Sequence, residues 1–367
     1  MWLAVLTSAA IVCLITACLT VLLLIAKETI ANYGPCTITI NEGRTFTVQG
    51  GGTLLQALKQ GGVFIPSACG GRGSCGFCKV RVKRPRPPIL PTEIPWLSKQ
   101  ETADNVRLSC QFKVKQDMAL HIPQSLLAIK EYTTRAAAME NLTHDIKQVL
   151  LELVDPAQID FRAGQYIQME VPANDLSAEP VYRAYSIASS PSDTGRLELE
   201  IRKVAKGIAT TYVHETLQPG DTVRINGPYG SFYVRDTDRD IIFIAGGSGM
   251  APIKSMLLDL AEKRSTRGIR YFFGARGTED LFLLSLMQEL QQQLPGFVFI
   301  PALSHPDPKD NWTGEKGLIT EVVGRQLTDN TAAEAYLCGS PGMIKACVAV
   351  LTGKGIPAER IFYDSFS

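Results

Sequence analysis

The sequence predicts a membrane-tethered, multidomain chain of α+β and α/β character, and three observations carry that prediction. Residues 2–26 contain no charged side chain. Residues 132–235 read as short strands with turn residues between them, the spacing of a small antiparallel β-barrel. Residues 240–367 alternate apolar strands with amphipathic helices after a glycine turn, which predicts a doubly wound parallel sheet. At 367 residues there is room for several domains, each with its own core.

The apolar N-terminus, ended by Lys27 and Glu28, would be roughly 37 Å long as a helix, enough to span a hydrocarbon core of about 30 Å with some tilt. A signal peptide needs a positive n-region and a shorter apolar run, and MWLAVL opens without Lys or Arg. Residues 1–26 are therefore expected to be a retained single-pass anchor.

Composition narrows the chemistry. Lys and Arg number 37 against 36 Asp and Glu, so neither a nucleic-acid stripe nor an acidic tail is indicated. The nine cysteines are an odd number, with several packed into a glycine-rich stretch, which does not fit a secreted disulfide framework. Cys13, Cys18 and Cys36 read as small apolar residues.

Residues 35–124 form the first soluble unit. ITI and RTFTV flank Asn41-Glu42-Gly43 as a hairpin, and TLLQALKQGG reads as a short helix stopped by glycine. Cys69, Cys75 and Cys78 follow as C-x5-C-x2-C, with Cys110 in RLSCQFKV. Three thiolates on one loop and a fourth from another segment can enclose an iron–sulfur cluster. Gly70, Gly71, Gly73 and Gly76 would let loop amides turn toward sulfur. A structural zinc site is the alternative, although such sites usually pair two C-x2-C knuckles.

In the third unit, residues 240–263 give strand, Gly246-Gly247-Ser248-Gly249, then helix. Gly246, Gly247 and Gly249 would bring backbone close to a pyrophosphate at a helix N-terminus. IRYFFGAR and AEAYLCGSPGMI supply two further strand-to-loop units. Cys347 reads as a buried thiol on the following helix.

These motifs together resemble a known family. The cysteine loop is similar to the β-grasp [2Fe–2S] ferredoxin domain that heads several flavin reductases. Arg183-Ala184-Tyr185-Ser186, preceded by FRAGQYI and followed by GPYGSF, resembles the R-x-Y-S signature of the ferredoxin–NADP reductase superfamily. LPTE at 90–93, GGSGMAP, DNWTG and the terminal Asp-x-Phe extend the resemblance over the chain, to the NADH-oxidising flavoprotein subunit of the sodium-translocating NADH:quinone reductases.

That resemblance implies FAD, a [2Fe–2S] cluster on Cys69, Cys75, Cys78 and Cys110, and NADH as donor. Arg183 would neutralise the flavin pyrophosphate, Tyr185 would pack on the ring and Ser186 would act near N5. Gly207, Thr210 and Thr211 would face the flavin phosphates, a helix cap being the plainer reading of the threonines. Cys338 and Gly339 would lie under the nicotinamide, Cys338 otherwise being a buried core thiol, and Phe366 would gate it. Asp364 is the further acid–base candidate. Arg276 would contact the nucleotide, and Glu279 and Asp280 would repel a 2′-phosphate. The implied domains are an anchor at 1–26, ferredoxin at 35–124, FAD barrel at 132–235 and NADH domain at 240–367. The implied setting is the inner membrane, with cytoplasmic soluble domains passing electrons to integral membrane subunits. One departure stands out: the family has a longer insertion before R-A-Y-S, whereas about ten residues separate Val171 from Tyr182 here. The reductase component of an oxygenase and a redox-sensing protein are the competing functions.

Overall fold

One helix, Trp2–Ile30, accounts for the apolar N-terminus. Within it Val5–Leu24 is long and apolar enough to cross a membrane, and none of it is buried against protein. The hydroxyl of Thr16 donates to the Val12 carbonyl (2.9 Å) and that of Thr20 to the Thr16 carbonyl (2.8 Å). Both polar side chains are thus satisfied inside the helix, as a lipid environment requires. The computed structural model describes residues 2–30, 33–328 and 332–366, which fall into two compact units, Met1–Ala128 and Ile129–Ser367.

In the first unit a five-stranded sheet runs in the order Arg44–Gln49, Pro35–Ile40, Met118–His121, Lys79–Arg84, Val106–Leu108. Pro35–Ile40 is parallel to Met118–His121 and antiparallel to its hairpin partner. The hairpin turns through Asn41 and Glu42, both at positive φ (50° and 63°), and the Gly43 amide donates to Ile40. Helix Leu54–Gln60 begins at Thr53, whose hydroxyl accepts from the Gln56 amide in a capping box. Leu54, Ala57 and Leu58 face a core with Ile38, Ile40, Val80, Val82 and Leu120.

The second unit contains two six-stranded sheets. The first is antiparallel, from Arg196–Arg202 at one end of the strand order to Val181–Ser186 at the other. An Ile187–Leu199 bridge joins the two ends and closes the barrel. Alternate residues point inward; Leu197, Leu199 and Ile201 pack with Val149, Leu151, Ile167 and Ile225. Residues 172–180, where the family insertion would fall, close a hairpin through an Asn174–Ser177 bridge.

All six strands of the second sheet are parallel. Ile241–Gly246 lies centrally, with Ile269–Ala275, Phe297–Leu303 and Glu315–Lys316 on one side and Glu334–Gly339 and Ile361–Ser365 on the other. Phe243 and Ala245 pack on one face with Met250, Ile253, Met287 and Leu290 of helices Met250–Glu262 and Leu284–Gln293. Ile242 and Ile244 pack on the other with Val322, Ile344 and Leu351 of helices Ile319–Gln326 and Pro341–Gly353. Burial on both faces explains the continuous apolar runs IIFIAG and IRYFFGA. The two-residue strand Glu315–Lys316 pairs only with Ala302 and Leu303. Alongside the rest of that edge runs a depression of about 580 Å³, lined by residues including Val298, Pro301, Glu315 and Arg325.

Candidate functional site

The four cysteines of the first unit meet as two pairs. Cys69 Sγ and Cys75 Sγ lie 3.4 Å apart on the loop. Cys78, entering strand Lys79–Arg84, shares a hydrogen bond with Cys110, which arrives from beyond Val106–Leu108. Two sulfurs bonded to one tetrahedral metal at about 2.3 Å are separated by roughly 3.8 Å, close to the observed pairing. Among the described residues no three His, Cys, Asp or Glu side chains converge on a single point. Two sulfur pairs suit a centre with two iron atoms.

The loop is shaped for sulfur. Gly70, Gly71, Gly73 and Gly76 have φ of 65°, 87°, 78° and 70°, where a side chain is strained. A Cβ on Gly76 would also strike Trp96. The Cys69 thiol is held down at about 4, first by a hydrogen bond from Cys75 and then, against the opposing effect of burial, by the amides of Ser74, Arg72 and Gly73. Cys110 is lowered to about 7, first by Cys78, while Cys75 and Cys78 are raised as the proton-bearing partners. The Ser109 hydroxyl is buried without a hydrogen-bonding nitrogen or oxygen, and it lies against the Cys78 sulfur. A hydroxyl whose partner is sulfur and amides turned toward Cys69 fit a sulfide-containing group.

On the barrel, strand Val181–Ser186 carries Arg183, Tyr185 and Ser186. Arg183 Nη1 donates to the Tyr182 carbonyl (2.8 Å), Tyr185 is half-buried against the barrel core, and Ser186 is buried opposite Tyr166. Gly207 precedes the short helix Ile208–Thr211. The Thr210 hydroxyl accepts from the Val204 amide (3.1 Å) and lies 3.3 Å from the carbonyls of Val204 and Gly207. It therefore braces its own loop, and no side chain caps this helix.

The nucleotide-type site lies where the parallel strand order reverses, at the carboxyl ends of Ile241–Gly246 and Glu334–Gly339, the usual ligand crevice of such sheets. A cleft of about 290 Å³ is lined there by residues including Gly246, Gly247, Arg276, Asp280, Ser340 and Met343. Gly249 follows the central strand so closely that a Cβ would collide with the Cys338 carbonyl. Cys338 is fully buried, and burial, followed by the nearby Asp364, pushes its thiol well up. Asp364, across the strand pair from Cys338, is raised to about 6 by burial. The Phe366 amide donates to Gly339 (2.9 Å), and its ring rests on the core cluster containing Cys338. Cys338, Gly339, Phe366 and the glycine turn are thus brought together, while Arg276 and Glu279 are exposed. Asp280 accepts from the Gly277 amide (3.0 Å).

The barrel also contributes to this cleft, which the motifs did not reveal. Arg202, at the end of strand Arg196–Arg202, lines it beside Gly247 and donates to Asp145 (2.6 Å). A charged residue ending an amphipathic strand was the only available signal.

Comparison with known proteins adds names to these units. Residues 38–115 match the 2Fe-2S iron-sulfur cluster binding domain, 134–233 the oxidoreductase FAD-binding domain, and 243–349 the oxidoreductase NAD-binding domain. The chain is 36% identical to the F subunit of the Na(+)-translocating NADH-quinone reductase of Neisseria gonorrhoeae, over 96% of each chain. It is also 36% identical to the F subunit of the same reductase from Yersinia pseudotuberculosis, over 96% of this chain and 97% of that one. Among solved structures it is similar to the cytochrome P450 reductase GcoB of Amycolatopsis (TM-score 0.72, 28% identity, 90% of this chain and 98% of that one). The ferredoxin reductase in carbazole 1,9a-dioxygenase is a second likeness (TM-score 0.69, 26% identity, 91% and 98%).

Proposed function

The chain belongs to the family of F subunits of the Na(+)-translocating NADH-quinone reductases, and from that premise we propose how its residues divide the work and where they do it. It is an NADH-dependent FAD and [2Fe–2S] oxidoreductase. NADH supplies a hydride, the flavin converts two electrons into single ones, and the cluster carries one at a time.

Cys69, Cys75, Cys78 and Cys110 would hold the cluster, as the pairs Cys69–Cys75 and Cys78–Cys110. The observation that carries this assignment is the pairing of the four sulfurs around a loop whose amides point at Cys69. Arg183 compensates flavin phosphate charge, Tyr185 and Phe366 offer aromatic faces to the ring, and Ser186 offers a hydroxyl. Gly207 and the amides around Thr210 and Thr211 take the flavin phosphates, with the Thr210 hydroxyl stiffening the loop. Gly246, Gly247 and Gly249 admit the dinucleotide pyrophosphate, Arg276 takes its outer part, and Asp280 disfavours a 2′-phosphate. Cys338 and Gly339 form the floor under the nicotinamide.

The helix crosses the inner membrane once and leaves the soluble units in the cytoplasm, where NADH is found. The acceptor is an integral membrane component of the quinone reductase. The likeness to two oxygenase-type reductases supports a second reading, a reductase component serving an oxygenase; the apolar helix favours the membrane acceptor. Deleting residues 2–26 tests the choice. The truncated protein should keep FAD, cluster and NADH-driven reduction of an artificial one-electron dye, yet lose most reduction of the acceptor in native membranes, because tethering raises effective concentration there. Equal reduction of a soluble oxygenase by truncated and intact protein would favour the second reading.

Arg183→Ala should purify depleted of FAD. Losing a charge-assisted contact of about 1.5–3 kcal/mol weakens binding about ten- to a hundredfold. Stoichiometric flavin in that variant would count against the placement.

A further inference from the structure

Glu200 is a buried carboxylate with no part in the binding and electron-transfer roles assigned to the site. It lies on strand Arg196–Arg202, whose residues alternate between two faces. Leu197, Leu199 and Ile201 enter the barrel core, whereas Glu198, Glu200 and Arg202 share the opposite face. Arg202 reaches the nucleotide cleft, so Glu200 stands one alternation, about 7 Å, behind that cleft.

Helix Met250–Glu262, which follows the glycine turn, packs over this face. Lys254 is 6% exposed; its ammonium bonds to Glu198 and stands 3.7 Å from Glu200 Oε1, beyond hydrogen-bond length. Gln148 also bonds to Glu198. Both Glu200 oxygens are therefore buried without a hydrogen-bond donor. From the third element, strand Ile269–Ala275, the buried Tyr271 faces the same space, with its hydroxyl turned to Met250 Sδ (3.1 Å). One cation thus stands among two carboxylates in a buried seam between the barrel and the nucleotide lobe. Ser255 to the Ser189 carbonyl (2.7 Å), and Ser190 and Ser192 to Glu262 (2.7 and 2.8 Å), hold the same seam with neutral or exposed groups.

We propose that Glu200 is a positioning residue for NADH oxidation, seating the nucleotide lobe on the flavin barrel while its carboxyl is neutral and loosening that seat when it bears charge. A neutral carboxyl leaves the Lys254–Glu198 pair electrically complete. An ionised one leaves the single Lys254 ammonium, already bonded to Glu198, facing two buried anions, and the seam relieves the excess charge by opening to solvent. Burial first, opposed by Lys254 and reinforced by Glu198, raises this carboxyl to about 8 from the ordinary 4.5. The folded protein therefore binds a proton that the unfolded chain releases between those values. This contribution to stability is full below the ordinary carboxyl range, falls as pH rises through about 8, and is then flat.

The inference rests on the NADH reading, and two measurements on the full-length, FAD-loaded protein separate their fates. In stopped flow, bleaching of the flavin by NADH should slow above pH 8, to about a tenth of its neutral rate by pH 9. Glu200→Gln should keep the neutral rate and lose that limb. Thermal unfolding without NADH should show the wild-type midpoint falling between pH 5 and pH 8 more steeply than that of Glu200→Gln. Should the Gln variant not fold, Lys254→Gln should move the limb to higher pH, since the cation that favours ionisation is gone. An unchanged limb in the variant that is obtained, or identical pH slopes of unfolding, overturns the proposal. Failure of NADH to bleach the flavin at any pH would instead overturn the NADH reading.

Discussion

Cys110→Ala should abolish the EPR signal of the reduced cluster while NADH continues to bleach the flavin at an unchanged rate. Cys110 is the one ligand candidate outside the loop of residues 69–78, and its partner is Cys78. In the proposed ligand set its removal would leave Cys78 without its paired sulfur, while the Cys69–Cys75 pair and its amides remain. Both irons are needed for the signal, so half a site gives none. Cys69→Ala should produce the same loss from the other pair. The flavin step belongs to the unit Ile129–Ser367, which contains the R-A-Y-S strand and the nucleotide cleft. A full-intensity signal from Cys110→Ala would show that the fourth ligand lies elsewhere.

Glu93→Ala should destabilise the cluster unit by about 3–5 kcal/mol, the cost of stranding a buried charge. Glu93 and Arg107 are both 0% exposed. The carboxylate accepts from Arg107 Nε (3.0 and 3.1 Å) and from the amides of Leu108 (2.8 Å) and Leu90 (2.9 Å). Arg107 also donates to the Pro87 carbonyl (3.1 Å), and its guanidinium lies 4.7 Å from the centre of the Phe112 ring. Replacing Glu93 leaves that guanidinium short of its counter-charge, the buried Leu108 amide without its acceptor and the part-buried Leu90 amide without its own. Leu108 is two residues before Cys110, so cluster loss on heating should begin at lower temperature as well. Urea unfolding followed by cluster absorbance measures the effect. Replacing both partners by apolar residues should cost less than the Glu93 substitution alone. A single-variant loss below about 1 kcal/mol would show that the pair contributes little.

The parts visible in the sequence were those written in one contiguous segment. Asn41-Glu42-Gly43 requires positive φ at neighbouring residues, and the chain turns there. IIFIAGG is a strand that must be buried on both faces and then turn tightly, and Gly249 meets the Cys338 carbonyl as such a turn demands. The cysteine spacing marked four thiols, but their grouping as two pairs depends on where Cys110 returns in space. LPTE was recognisable only as a string. Its acid acts through Arg107, fourteen residues on, and no periodicity records a side-chain pair at that separation. Arg202 and Glu200 were missed for a related reason. Alternation along a strand says which residues leave the barrel core, but not that a helix begun fifty residues later covers Glu200 or that Arg202 meets the glycine turn before it. Thr210 illustrates a local ambiguity: a hydroxyl at a helix start can serve a ligand or its own loop, and here it braces the loop.

Anchored proteins share a plane, so copies of this chain meet more often than soluble ones would. That makes the outer edge of the parallel sheet a potential seed for aggregation, because strand Phe297–Leu303 is covered only at Ala302 and Leu303. Val298, 49% exposed, would otherwise invite a neighbouring strand. Pro301 has no amide hydrogen to offer an incoming chain. Glu315, ion-paired with Arg325, places charge alongside the gap. Crowding in the bilayer can then raise the density of the enzyme without zipping its nucleotide lobes together.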